Sequence, residues 1–259
     1  MSLLRLEEVT RTVIPPDQPA LTILSGVDLT VERGDRISIV GRSGSGKSTL
    51  LNLLGLLDLP TSGTITFDDR PVKSYSGAER DRVRGARIGF VFQQFNLLPG
   101  RTALENVAMP LLYATGRQFW RRRALAAEML EQVGLGHRLE SMPDRLSGGE
   151  QQRVAIARSL VRGPNLILAD EPTGALDLDT GQSVMELIDD VATRTGAALV
   201  TITHDPAIAR RARDHFRLDR GVLTRVADPE LEPASRRELR AMAATLELDQ
   251  RPDTSGGGA

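Results

Sequence analysis

Apolar residues gather along this chain in short runs separated by charged and turn-forming residues. Residues 21–24 and 27–31 read as two short strands, and Glu32-Arg33-Gly34-Asp35 turns the chain behind them. Arg36-Ile37-Ser38-Ile39-Val40 is rich in β-branched residues and stops at glycine, the pattern of a buried strand. A helix is expected from Lys47 to about Leu57, because Leu50, Leu53, Leu54 and Leu57 share one face. Asp58 to Gly63 supplies the breaker chemistry that closes it. Further buried-strand runs lie at residues 88–92, 165–170 and 197–202.

Beyond Phe92 the pattern changes. Pro99, Pro110 and Gly116, an arginine cluster at 121–123 and a helical periodicity from Ala124 to Val133 mark residues 93–145 as a helical insertion. The alternation of strands and helices elsewhere predicts an α/β fold with a mainly parallel sheet covered on both faces. Its core is expected over residues 1–92 and 146–227. Residues 228–259 carry prolines, many charges and a final Ser-Gly-Gly-Gly-Ala, which predicts a partly disordered tail with a short helix over 233–248.

Composition narrows the class. Charges nearly cancel, with 33 Lys+Arg against 34 Asp+Glu, so no global field argues for a nucleic-acid partner. The absence of cysteine excludes disulfides, thiolate metal sites and a thiol nucleophile. Glu7 and Glu8 come too early for a secretory leader, and the most apolar stretch, 50–59, falls short of the ~20 residues that span a bilayer. A cytoplasmic protein is expected.

The chemistry begins at Gly41-Arg42-Ser43-Gly44-Ser45-Gly46-Lys47-Ser48-Thr49, which fits G-x-x-x-x-G-K-[ST] after a strand and at a helix start. Backbone N–H groups of such a loop wrap phosphate oxygens, Lys47 reaches the β- and γ-phosphates, and the Ser48 hydroxyl ligates Mg²⁺. The strand 165–170 delivers two adjacent carboxylates at its C-terminal end. Asp170 is expected to hold Mg²⁺ through water, and Glu171 to orient and deprotonate an attacking water. Ser147, Gly148 and Gly149 precede a helix through Val154, Ala157 and Leu160, so N–H groups and a hydroxyl are expected to face outward as an anion site.

Leu146-Ser147-Gly148-Gly149-Glu150-Gln151 resembles the L-S-G-G-x-Q signature of the ABC ATPases. The resemblance implies a RecA-like P-loop core, an antiparallel β part and a helical subdomain. It implies that two such subunits, identical or related, pair head to tail, so that Ser147, Gly148, Gly149 and Gln151 of one close on ATP held by the other. It further implies that Gln93 ligates Mg²⁺ and senses a permease, that Asp177 lies at the dimer interface, and that His204 contacts the γ-phosphate. The motifs cover roughly residues 3–227. ATP and Mg²⁺ are the implied cofactors, and a membrane permease in separate chains is the implied partner. The subunit would then sit peripherally on the inner face of the plasma membrane.

Phe90-Val91-Phe92-Gln93, Phe95-Asn96-Leu97-Leu98-Pro99 and Leu104-Glu105-Asn106-Val107 resemble one branch in particular. It holds the ATPases of macrolide and antimicrobial-peptide exporters, lipoprotein-release complexes and the cell-division ABC complex. Export and non-transport signalling share these motifs, so both readings stay open here. Single motif copies and the lack of a heptad run argue against the two-domain translation factors and coiled-coil repair proteins of the family. Two local features depart from the rest. Val13 stands where the family stacks an aromatic on adenine, which leaves an apolar contact without a π-stack. Phe119-Trp120-Arg121-Arg122-Arg123 reads as a helix start on a solvated face with Trp120 turned inward, although a membrane surface or the permease groove would also suit it.

Overall fold

A computed structural model of the chain describes residues 2–16 and 19–227. The chain opens with β1 (Leu4–Val13), β2 (Leu21–Val31) and β3 (Arg36–Val40), then α1 (Lys47–Leu54), β4 (Ser62–Phe67), β5 (Arg70–Pro71), α2 (Gly77–Arg87) and β6 (Ile88–Phe92). A helical stretch follows, with α3 (Ala103–Ala108), α4 (Arg117–Trp120) and α5 (Arg122–Gln132) joined by 3₁₀ turns. After it come α6 (Gly148–Leu160), β7 (Leu166–Asp170), α7 (Leu178–Thr195), β8 (Ala198–Ile202), α8 (Pro206–Ala209), β9 (Asp214–Asp219) and β10 (Val222–Val226). The tail expected over 228–259 lies outside the described residues.

Two sheets result. One has the order β10-β9-β3-β8-β7-β6, parallel throughout except for the β9–β10 hairpin. The other is antiparallel, in the order β2-β1-β4-β5. The continuous apolar runs are explained by burial on both faces. In β7, Leu166 and Leu168 enter the core shared with α1 and the antiparallel sheet, while Ile167 and Ala169 enter the core beneath α6 and α7. A third cluster joins α3 and α5 to Leu146, Val154, Ala157 and Val161, so the apolar core of the helical stretch runs on through α6.

Several local expectations change. The two strands expected at 21–24 and 27–31 are one, β2, carried through Gly26 at positive φ, with bulges in its pairing to β1. Helix α1 stops at Leu54, not near Leu57: Gly55 caps it, Leu56 takes φ 55°, and Leu57 is left exposed. Trp120 is not turned inward but is 79% exposed, on the short helix α4 that packs against the 3₁₀ turn before it and α5 after it.

Asn106 shows how the segment after β6 is held. It is fully buried, its Oδ1 accepts from Leu98 N (2.7 Å), and its Nδ2 donates to the carbonyls of Leu98, Arg101 and Thr102. Asn106→Ala strands those groups in the interior. The variant is expected to lose about 2–3 kcal/mol of unfolding free energy, read as a lower urea midpoint at unchanged slope.

Candidate active site

Parallel register lines up the strand ends. Phe92 pairs with Asp170, Asp170 with Ile202, and Ile202 with Ile39. The residues that follow these strands, Gln93, Glu171, Thr203 with His204, and the loop opening at Gly41, therefore leave one edge of the sheet side by side. In open α/β sheets this carboxyl edge is where ligands bind.

The loop 41–46 is shaped for close backbone approach. Gly44 and Gly46 take φ 77° and 105°, and a Cβ on Gly41 would stand 2.5 Å from the Leu218 carbonyl oxygen and 2.7 Å from Ser45 Oγ. No side chain caps α1 and no acid sits in its first turn, so its N-terminal N–H groups are offered to a ligand. Lys47 Nζ lies over the loop and donates to Gly41 O (2.8 Å) and Arg42 O (2.9 Å). An ammonium has three protons, so one remains for an anion. Ser45 is buried, and its hydroxyl has no partner among the described residues. Ser43 and Ser48 are exposed, and Thr49 is half-buried. The β9–β10 turn supports the loop from below, with Gly221 N donating to Ser45 O (3.2 Å).

Asp170 is half-buried, and burial first, then the charge of Glu171, holds its carboxyl above the usual carboxylate range, partly offset by Lys47. Two adjacent carboxylates thus stand at this edge, with the Lys47 charge felt at Asp170. Among the described residues no three His, Cys, Asp or Glu gather as a metal cage.

Glu171 takes φ 45°, unusual for a non-glycine residue, and its N–H donates to Ile202 O. Its Oε2 accepts from Thr203 Oγ1 (2.9 Å), while Oε1 accepts from His204 N (2.9 Å) and lies 2.6 Å from His204 Nδ1. The Glu171 side chain is 15% exposed and that of His204 75%. The carboxylate is thus held on both oxygens, with the imidazole as its solvent-side partner.

The signature lies elsewhere in the bonding. Ser147 caps α6 in a reciprocal box with Glu150, and Arg138 donates to Glu150 Oε1 (3.0 Å). The Ser147 backbone bond, with Arg138, holds the Glu150 carboxyl below its ordinary value. The Ser147 N–H is therefore used within the box, whereas its hydroxyl only accepts there and keeps its own proton to donate, and Gly148 and Gly149 head the helix as its donors. A Cβ on Gly149 would stand 2.5 Å from Thr180 Cγ2, so α6 begins directly against α7. Gln151 Nε2 donates to Leu146 O (3.0 Å). Asp177 accepts from Thr180 N (3.0 Å) as the cap of α7, a bond that lowers its carboxyl pKa. Beside it Leu178 is 74% exposed. Val13 is half-buried at the end of β1 opposite Leu21, and Ile23 O lies 3.1 Å from a Cβ placed on Gly46, so the β1–β2 tip borders the loop.

The family model described as ABC transporter matches residues 24–174. The chain belongs to the ABC transporter family. It is an ATP-binding, ATP-hydrolysing subunit of that family, and its relatives fall in the branch that its motifs resemble. It is 48% identical to the lipoprotein-releasing system ATP-binding protein LolD of Shewanella frigidimarina, over 79% of this chain and 85% of that protein. It is 45% identical to the macrolide export ATP-binding/permease protein MacB of Marinobacter nauticus, over 90% of this chain but only 36% of that much longer protein. Among solved structures, the dimeric post-hydrolysis state of the ATP-binding cassette MJ0796 bound to ADP and Pi aligns with TM-score 0.78 at 40% identity. That alignment covers 88% of this chain and all of the other.

Two residues of this ABC ATPase site went unread in the sequence. Thr203 is fully buried and bonds Glu171 directly. Gln152, also fully buried, donates through Nε2 to Pro172 O (2.6 Å) and Phe92 O (3.4 Å), tying α6 to the segments beside Glu171 and Gln93. Helical spacing could have found it, since Gln152 lies four residues before the buried Ile156.

Gly41→Ala is expected to weaken ATP binding at least about tenfold and to lower the melting temperature, because its methyl meets a backbone carbonyl that cannot swing aside. Nucleotide titration together with a melting curve reads both effects.

Proposed function

We propose that two copies of this chain, or this chain and a related ATPase, pair head to tail around two Mg·ATP and drive a membrane permease carried by other chains. The observation that carries this reading is the row of strand ends, where the loop at Gly41, Gln93, Glu171 and His204 meet at one edge while the signature stays bonded within its own segment. A phosphate loop without its signature is half a site, and a second subunit completes it. Gly148 and Gly149 supply the facing donors, and Leu178 beside Asp177 offers an apolar contact at such an interface. The dimeric MJ0796 cassette supports the same arrangement.

No described helix is long and apolar enough to cross a membrane. The MacB name joins ATP-binding and permease functions in one chain, and the present chain matches only 36% of it. The LolD relative, named as the ATP-binding protein of a lipoprotein-releasing system and matched over 85% of its own length, supports a division of labour in which the spanning part belongs to a partner and this subunit works from the inner face of the membrane. The LolD and MacB relatives favour an export or release complex, the substrate being set by the permease.

Lys47 and the loop N–H groups bind and orient the phosphates, and Asp170, Ser48 and Gln93 would hold Mg²⁺. Bound there, the cation would neutralise charge on the phosphate oxygens. Glu171 accepts a proton from the attacking water as the bond to the leaving ADP breaks. Thr203 fixes one carboxylate oxygen, and the exposed His204 ring, bonded to the other, is free to turn toward the γ-phosphate. ATP binding would close the pair, and hydrolysis would reopen it.

Glu171→Gln is expected to cut turnover by about a hundredfold or more while leaving ATP binding intact, because the lost base acts mainly in the transition state. Sizing with ATP should then show a stabilised dimer. Wild-type turnover in that variant would overturn the assignment of the base. Val13→Tyr should add a base stack worth about 1 kcal/mol, tightening ATP binding roughly fivefold with turnover largely unchanged. Titrations with ATP and GTP check it. Equal affinities in both proteins would show that Val13 does not face the base.

A further inference from the structure

The helical stretch presents a surface that neither hydrolysis nor pairing uses. Tyr113 and Trp120 are each 79% exposed and Leu112 45% exposed, on two elements that pack together, the 3₁₀ turn Met109–Tyr113 and α4. Scattered exposed apolar residues need no explanation, but three large ones gathered on adjacent turns do. The patch is also held in shape. Trp120 packs edge-on against Phe119, with centroids 5.2 Å apart at 79°. The Arg122 guanidinium lies 4.8 Å over the Phe119 ring, and its Nη1 donates to Phe119 O (3.0 Å).

Charge sets this surface apart, for the chain as a whole carries a formal net charge of only −1. From Asn106 to Ala127 there is no Asp or Glu, and the only charges are Arg117, Arg121, Arg122 and Arg123. Arg121 pairs with Glu128 (3.0 Å) and Arg123 with Glu140 (3.8 Å), but every group in these two bridges is 44–72% exposed. Such bridges are weak and readily exchanged for another anion.

We propose that this face touches an anionic lipid surface, with Trp120 and Tyr113 seated at the headgroup level and Arg117, Arg121 and Arg123 paired with lipid phosphates. Aromatic rings with a polar edge favour the membrane–water boundary, and arginines near an anionic leaflet each add attraction. A docked helix from a protein would call for a groove lined along several turns. Here the apolar residues stand on a four-residue helix and one short 3₁₀ turn, and the only charged residues between Asn106 and Ala127 are arginines. The contact would give the subunit a membrane orientation of its own, in addition to whatever a permease provides.

Trp120 is the only tryptophan in the chain, so it reports on the site without labelling. The full-length protein is mixed with vesicles of phosphatidylcholine alone and of phosphatidylcholine with phosphatidylglycerol. Emission, quenching by brominated lipid and co-sedimentation are then read at low and high salt. The expected result is a blue shift, quenching and sedimentation with the anionic vesicles only, all reduced by salt. Arg117→Glu and Arg121→Glu should each lower the partition coefficient roughly fivefold or more, and Trp120→Ala should lower sedimentation as well. ATP hydrolysis by the soluble variants should stay unchanged, which separates failure here from failure of the ATPase reading. Absence of a shift with anionic vesicles, or equal binding to phosphatidylcholine alone, would overturn the proposal. A Trp120 response confined to vesicles that contain a permease would overturn it in favour of a protein contact.

Discussion

Parallel pairing of β7 between β6 and β8 decides where chemistry can occur in this chain. Because Phe92, Asp170 and Ile202 fall in one register line, the residues after them emerge together, and β3 adds the phosphate loop through Ile39. A one-residue slip would turn each strand's side chains to the opposite face and break both cores at once. The apolar runs that look featureless in sequence therefore position the site, since each of their residues must suit one of two distinct cores.

Around that row, the polar links are few and buried. Gln152 joins α6 to Pro172 and Phe92, and Thr203 joins the end of β8 to Glu171. Gly149 lets α6 start directly against Thr180 of α7. The signature helix is thus tied to the segments flanking Glu171 and Gln93 by buried hydrogen bonds and close packing rather than by a soft surface. Such stiffness suits a subunit whose two faces, nucleotide and partner, must respond together.

The phosphate loop, the paired carboxylates and the signature were legible because their chemistry requires particular residue types at fixed spacing. Other elements left weaker marks. β1 alternates buried Leu4 and Leu6 with exposed Arg5 and Glu7, and its charges read first as evidence about the N-terminus. α2 buries no residue, so apolar periodicity cannot reveal it, although Ser76 and Glu79 form a capping box that a search for caps would find. α7 shows its buried face clearly in the structure at Val184, Met185, Ile188 and Val191, but its start is hidden behind the linker that follows Glu171. Trp120 was misplaced because large aromatic residues are buried on average, a rule that does not bind a single residue. The third cluster lies beside α4 through Leu111 and Ala126, yet Trp120 stays 79% exposed.

The places where this chain breaks local rules are informative for the same reason. Glu171 adopts a backbone conformation that costs a non-glycine residue about 1 kcal/mol or more, Ser45 buries a hydroxyl without a partner among the described residues, and Asp170 sits half-buried beside a second carboxylate. Each is unfavourable in isolation, and all three lie along one edge of one sheet. A fold that tolerates this much local cost at one edge must be over-determined elsewhere, and the double-sided burial of β7 and β8 supplies that excess. Stability held in the sheet interior is in this way converted into binding capacity at its edge.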